Sequence, residues 1–99
     1  MVKAKLNGTL LAESNDTIMI EGNHYFPPES VNMEYFEKTE THTTCFWKGV
    51  ANYYNIVVNG ETNKDAAWYY AEPKEGSVER VGKDFASYVA FGRGVEIEE

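Results

Sequence analysis

At 99 residues the chain has the length of one domain, which buries roughly 60 to 65% of its unfolded surface on folding. Hydrophobic residues at 42% and aromatics at 14% favour a strand-rich interior over a disordered chain. A net charge of −7, from 16 acidic against 9 basic side chains with no two basic residues adjacent, argues against a surface that neutralises nucleic-acid phosphates or docks on anionic membranes. The single cysteine makes no internal disulfide, residues 1–14 lack the apolar run of a signal peptide, and no apolar segment nears the ~20 residues that span a bilayer. The expectation is a soluble cytoplasmic protein.

In chain order, Asn7-Gly8 sits between alternating apolar residues and predicts a two-residue hairpin turn joining 2–6 to 9–12. A third short strand is expected over 17–21, entered through Ser14-Asn15-Asp16 and left through Gly22-Asn23. Pro27-Pro28 stops regular structure. The following PPESVNMEYF fits one helical turn capped by Ser30 or a strand with Val31, Met33 and Tyr35 on one face, and its period of two favours the strand.

Residues 39–46 are extended by composition, since threonine and aromatics suit a pleated surface. Asn59-Gly60 predicts a second hairpin joining 52–58 to a run beginning near Glu61, with Tyr54, Ile56 and Val58 on the core side. Residues 66–70 (AAWYY) read as another strand, 74–82 as the most loop-like segment, and FASYVAFGRGVEIEE as a hairpin turning at Gly92-Arg93-Gly94. Seven to nine short antiparallel strands with at most one helical turn predict an all-β fold, a small barrel or a two-sheet roll.

The chemistry concentrates in THTTCFWKGVANYY (41–54) and DAAWYYAEP (65–73). On a regular strand Thr39, Thr41, Thr43 and Cys45 share a face. Lys48-Gly49 can then turn the chain so that the ammonium returns toward the sulfur, and a cation beside a thiol enriches the reactive thiolate. Cys45 is thus a candidate nucleophile, although a lone cysteine at a strand end also serves as a small buried hydrophobe.

Tyr53 and Asn55 point away from the core and can meet the threonine face. Trp68 and Tyr70 share a face, each with a polar handle that wants a partner when buried. Asp65 suits a turn cap, and Glu72 before Pro73 suits a solvated end or a proton-handling carboxylate. His42 and Cys45 face opposite ways with no second pair to complete a tetrahedron, so no metal site is read. Which cofactor, if any, the chain uses is not encoded in these motifs.

YFPPESV (25–31), THTTCFWKGVANYY (41–54), DAAWYYAEP (65–73) and YVAF (88–91), in this order and spacing, resemble the uncharacterised, mostly bacterial family catalogued as domain of unknown function 427. Its central motif falls on Thr43, Cys45, Lys48, Gly49, Ala51 and Tyr53 or Tyr54, and its second on Asp65, Ala66, Ala67, Trp68, Tyr70 and Pro73. The family's usual proline after the cysteine is Phe46 here. The resemblance implies a compact all-β fold, tent-like or barrel-like. The family sometimes carries a nucleotidyltransferase label, which the residues do not support: Asp65 has no paired carboxylate for Mg²⁺, and Gly76-Ser77 has no Asp-x-Asp partner downstream.

Three functions are weighed. The leading one is a binding domain for a small molecule or short peptide, with Thr43, Tyr53, Asp65, Trp68 and Tyr70 around a polar-aromatic pocket and Lys48 meeting an anionic group. The alternative is an enzyme with Cys45 as nucleophile, Lys48 as activator and Tyr53 or Glu72 handling protons. The third is an interaction domain whose motifs serve only the fold.

Overall fold

Both Asn-Gly pairs turn the chain as expected. The computed structural model describes residues 1–99, with nine strands, one short helix and two 3-10 turns. β1 (Val2–Leu6) and β2 (Thr9–Ser14) meet at Asn7-Gly8, with Leu6 opposite Thr9. β3 (Ile18–Ile20) and β4 (Asn23–Tyr25) form a second hairpin. β5 (Phe36–Cys45) leads to β6 (Gly49–Val58), which turns at Asn59-Gly60 into β7 (Glu61–Tyr69). The helix α1 (Ser77–Val81), β8 (Val89–Phe91) and β9 (Glu96–Glu98) complete the chain.

The two Asn-Gly turns place both residues at positive φ, 50° and 82° at Asn7-Gly8 and 51° and 79° at Asn59-Gly60. That is the type I′ geometry whose twist suits a hairpin, and Asn and Gly tolerate it best. The β3–β4 hairpin uses the same geometry at Glu21-Gly22, with φ of 52° and 83°, one residue earlier than the expected Gly22-Asn23 turn.

The strands form three antiparallel sheets in the orders β2-β1-β9, β3-β4 and β5-β6-β7-β8. The all-β expectation therefore holds. The sheets are open rather than closed into a barrel, and β5 keeps one edge unpaired.

The four-stranded sheet is covered on both faces. Tyr54, Ile56, Val58, Ala67 and Phe91 pack with Ala4, Leu6, Leu11 and Phe26, whereas the alternate residues Ala51, Tyr53, Trp68 and Ala90 pack with Ile18, Ile20, Tyr25 and Phe85. Period-two alternation thus feeds two hydrophobic layers from one sheet. Ile56 is fully buried in the first of these layers, and burial of such a side chain is worth about 1.5–3 kcal/mol.

Four expectations are corrected. Within residues 27–36, Pro28–Ser30 and Met33–Tyr35 form two 3-10 turns rather than a strand, and Phe36 begins β5. Pro28 has no N–H for a ladder, the Ser30 hydroxyl donates to the Pro27 carbonyl at 2.7 Å, and before Phe36 only Val31 bridges a strand, at Ala12.

The C-terminal stretch is not a hairpin, because β8 pairs with β7 and β9 crosses to pair with β1; the Gly92 N–H donates to Ala66 O at 2.8 Å. The loop-like 74–82 contains α1, set between Gly76 and Gly82, with the Ser77 hydroxyl donating to Lys74 O at 2.6 Å. The two short strands expected after Asn59-Gly60 are the single strand β7.

Candidate functional site

β6 is flanked by two bulges. Between the pairs Lys38–Tyr54 and His42–Asn52, residues 39–41 of β5 stand opposite Tyr53 alone. Between Tyr54–Ala67 and Ile56–Asn63, residues 64–66 of β7 stand opposite Asn55 alone. Such insertions bend a strand and re-aim its side chains.

Asp65 lies in the second bulge at φ 50°, its N–H donating to Asn55 Oδ1 at 3.0 Å, so it holds a mid-strand kink rather than capping a turn. The Thr41 hydroxyl reaches across β6 to Asp65 Oδ2 at 3.2 Å and ties the two bulges together. The Thr39 hydroxyl donates to Tyr53 O at 3.0 Å, and Thr43 and Tyr53 share a hydroxyl hydrogen bond of 2.9 Å. Tyr53 thus meets the threonine face, whereas Asn55 accepts from Asp65 rather than from a threonine.

Trp68 and Tyr70 lie in an aromatic cluster with Tyr25 and Phe85. Tyr25 meets Trp68 edge-on at 6.5 Å, lies near-parallel to Tyr70 at 6.5 Å, and meets Phe85 edge-on at 6.4 Å. The Trp68 indole N–H donates to the Tyr25 hydroxyl at 3.0 Å. Burial pushes the phenols of Tyr25 and Tyr70 up, so both stay neutral. Cys45, half-buried, packs against this cluster.

Lys48 is buried, and its ammonium donates to Glu21 at the tip of the β3–β4 hairpin. It also lies 5.2 Å from the Trp47 ring and 5.6 Å from the Tyr70 ring, within cation–π range. The Trp47 N–H donates to Glu21 at 3.4 Å, and the Arg80 guanidinium sits 4.3 Å above Trp47. The Lys48 hydrogen bond holds Glu21 below the usual carboxylate range against the opposing effect of burial; the Lys48 charge, the Trp47 N–H and the Arg80 charge add to it.

Glu21, Trp47 and Arg80 were not singled out from the sequence. One signal was legible: a glutamate where a type I′ turn favours Asn or Gly asks what its side chain is for.

Glu72 is exposed and lines a hollow of about 330 Å³ with Val50, Asn52 and Ala71. Its backbone lies against Gly49, and the Lys74 N–H donates to Lys48 O at 2.8 Å. Phe46, 79% exposed, occupies the β5–β6 turn, where the Lys74 ammonium donates to its carbonyl at 2.8 Å.

A second cleft, of about 300 Å³, opens beside β6 and β7, with Met33, Lys38, Tyr54, Tyr69, Ser87 and Val89 among its lining residues. Tyr54 and Tyr69 stack there at 4.7 Å and 25°. Burial and the adjoining Tyr69 phenol push the Tyr54 phenol up, so its O–H is retained.

None of Thr43, Cys45, Lys48, Tyr53, Asp65, Trp68, Tyr70 or Glu72 lines this cleft. Tyr54 and Tyr69 belong to the sheet face turned toward β1 and β2, whereas Cys45, Tyr53, Trp68 and Tyr70 pack with the opposite layer. The period-two pattern of residues 52–58 assigned Tyr54 to the core, and nothing in it marked a residue that is both core and cleft wall.

No three His, Cys, Asp or Glu side chains lie close enough to share a metal ion, and no helix is long and apolar enough to cross a membrane. No curated protein matches the chain. The model of a family described as a domain of unknown function (DUF427) matches residues 1–98, and with the motifs at 41–54 and 65–73 inside that match, the chain belongs to this family.

Proposed function

We propose that this domain binds a small organic molecule without covalent chemistry, in the cleft beside β6 and β7. The observation that carries the reading is the stacked pair of Tyr54 and Tyr69 forming one wall of a cleft of about 300 Å³. Sites of this kind are concave and mostly apolar with a few polar groups to orient the ligand, and Lys38 and Ser87 supply them here. The volume lies at the lower end of the range for ligand pockets, about 300–1,000 Å³, which favours a compact molecule over a peptide.

In this reading the two sequence motifs frame the site. Trp68 and Tyr70 pack behind β7, the Lys48–Glu21 pair fastens the β3–β4 hairpin to the β5–β6 turn, and Asp65 with Thr41 sets the bulges that shape β6. Cys45 contributes packing. The net charge of −7 supports a partner that is neither nucleic acid nor an anionic membrane, and a lone free cysteine suits the reducing cytoplasm.

A fragment titration followed by backbone amide chemical shifts tests the reading. Shifts are expected to concentrate at Lys38, Tyr69, Ser87 and Val89 and to vanish in Tyr69→Ala and in Ala71→Trp, the latter filling the cleft from an exposed position. Shifts centred on Cys45, Trp47 and Lys48 would move the site to the other face of the sheet. A library without any binder would overturn it.

A further inference from the structure

Lys38 is the one charged residue among those lining the cleft, and it makes no ion pair with any carboxylate of the chain. The cleft therefore presents a single free cation in a protein whose net charge is −7.

Ser87 also lines the cleft, at φ 64°, a left-handed conformation uncommon outside glycine and asparagine. Its N–H is anchored on Tyr70 O at 2.8 Å, and its side chain is exposed. Backbone held in such a region concentrates at ligand-binding positions. Tyr69 is half-buried and offers part of its ring, while the buried Tyr54 ring supports it from beneath.

From this juxtaposition we infer that the ligand is a flat aromatic molecule carrying one carboxylate, with its ring against Tyr69 and its charge at Lys38, and that polyphosphates are excluded. The inference rests on the cleft being the binding site. One carboxylate satisfies the one free ammonium, and the Ser87 hydroxyl is available to a carboxylate oxygen. Each additional negative charge of a nucleotide would find no further cation in the cleft and would meet the net negative charge of the protein instead. The cleft thus selects by the number of charges as well as by shape.

Three probes decide the matter: 2-naphthoate, its neutral isostere 2-naphthamide, and ATP, each titrated at low and at moderate salt with amide shifts as readout. The naphthoate is expected to bind about tenfold more tightly than the amide at low salt, with that advantage shrinking as salt is raised and disappearing in Lys38→Gln. ATP is expected to leave the cleft resonances unmoved. Equal binding of naphthoate and naphthamide, an undiminished advantage in Lys38→Gln, or ATP competing with naphthoate would overturn the ligand class while leaving the cleft as the site. Absence of cleft shifts with all three probes would overturn the site as well.

Discussion

Lys48 donates its ammonium to Glu21, and the two side chains differ sharply in exposure, 8% against 54%. Losing one partner therefore has unequal consequences. Glu21→Ala leaves a buried ammonium without its carboxylate, retaining only the Trp47 and Tyr70 rings. Lys48→Met keeps an unbranched stem packed against those rings and releases Glu21 into water. Breaking a fully buried pair costs about 3–5 kcal/mol, and the exposure of Glu21 reduces this considerably. Glu21→Ala is expected to cost about 1–2 kcal/mol and Lys48→Met less than about 1 kcal/mol. Chemical denaturation of the two variants measures the order, and the reverse order would show that the amine does not depend on Glu21.

The same pair makes stability depend on pH in a defined direction. The carboxyl of Glu21 is held below its unfolded value, so between the two values the unfolded chain binds more protons than the folded one. Its contribution is present above about pH 4, the ordinary range for a glutamate, and is lost as pH falls through the folded value. The stability difference between the wild-type chain and Glu21→Gln should therefore narrow below about pH 4. Paired denaturation curves at pH 6, 4 and 3 check it. A difference unchanged by acid would mean that Glu21 stabilises by contacts indifferent to its charge.

What the sequence disclosed follows from how local each signal was. Asn7-Gly8 and Asn59-Gly60 were readable because one dipeptide sets each turn, and Tyr54, Ile56 and Val58 because alternation along one strand decides burial. Glu21-Gly22 was displaced by one residue because glutamate is not a turn residue, and it occupies the position beside Lys48, which lies 27 residues away. The exchange of sheets between β8 and β9 was hidden because strand partners are chosen by tertiary packing; Gly92 and Gly94 look the same in a hairpin and in a crossover.

The motif residues were legible as a group, and around β6 Thr43 bonds to Tyr53 while Asp65 bonds to Asn55 and Thr41. The bulges that bring them together cancel the strict alternation from which their faces were read. The cleft was invisible for a related reason. Its walls come from two 3-10 turns, four strands and the segment between β7 and β8, and no spacing along the chain joins Met33, Lys38, Tyr69 and Ser87.

The Trp68 N–H and the Tyr25 hydroxyl, joined at 3.0 Å, give a test of how the aromatic cluster is held. Tyr25→Phe keeps the ring and its edge-on contact with Trp68 but strands the indole N–H in a partly buried setting. The expected cost is about 1–2 kcal/mol, the penalty for an unmade hydrogen bond. Trp68→Phe loses area as well and should cost more. The double variant should show a coupling of about 0.5–1.5 kcal/mol in a double-mutant cycle. Strict additivity would assign the cluster's stability to ring packing alone.

Gly49 has a constraint that the hairpin glycines lack. Its φ is +114°, and a Cβ placed there would lie 3.2 Å from Lys74 N and 3.3 Å from Glu72 O. Gly8, at φ +82°, has nothing within 4 Å of the same position. Both alanine variants carry the strain of a left-handed backbone, about 1–3 kcal/mol, but only Gly49→Ala also forces apart two backbones joined by the Lys74 N–H to Lys48 O hydrogen bond. Gly49→Ala is therefore expected to exceed Gly8→Ala by about 1 kcal/mol or more, as a lost hydrogen bond would. Thermal denaturation of the two variants reads the difference. Equal losses would mean that residues 72–74 yield at little cost. A larger loss at Gly49 would establish that the Lys48-Gly49 turn is positioned by contact with the segment bearing Glu72, which explains why the fold needs these two distant motifs together.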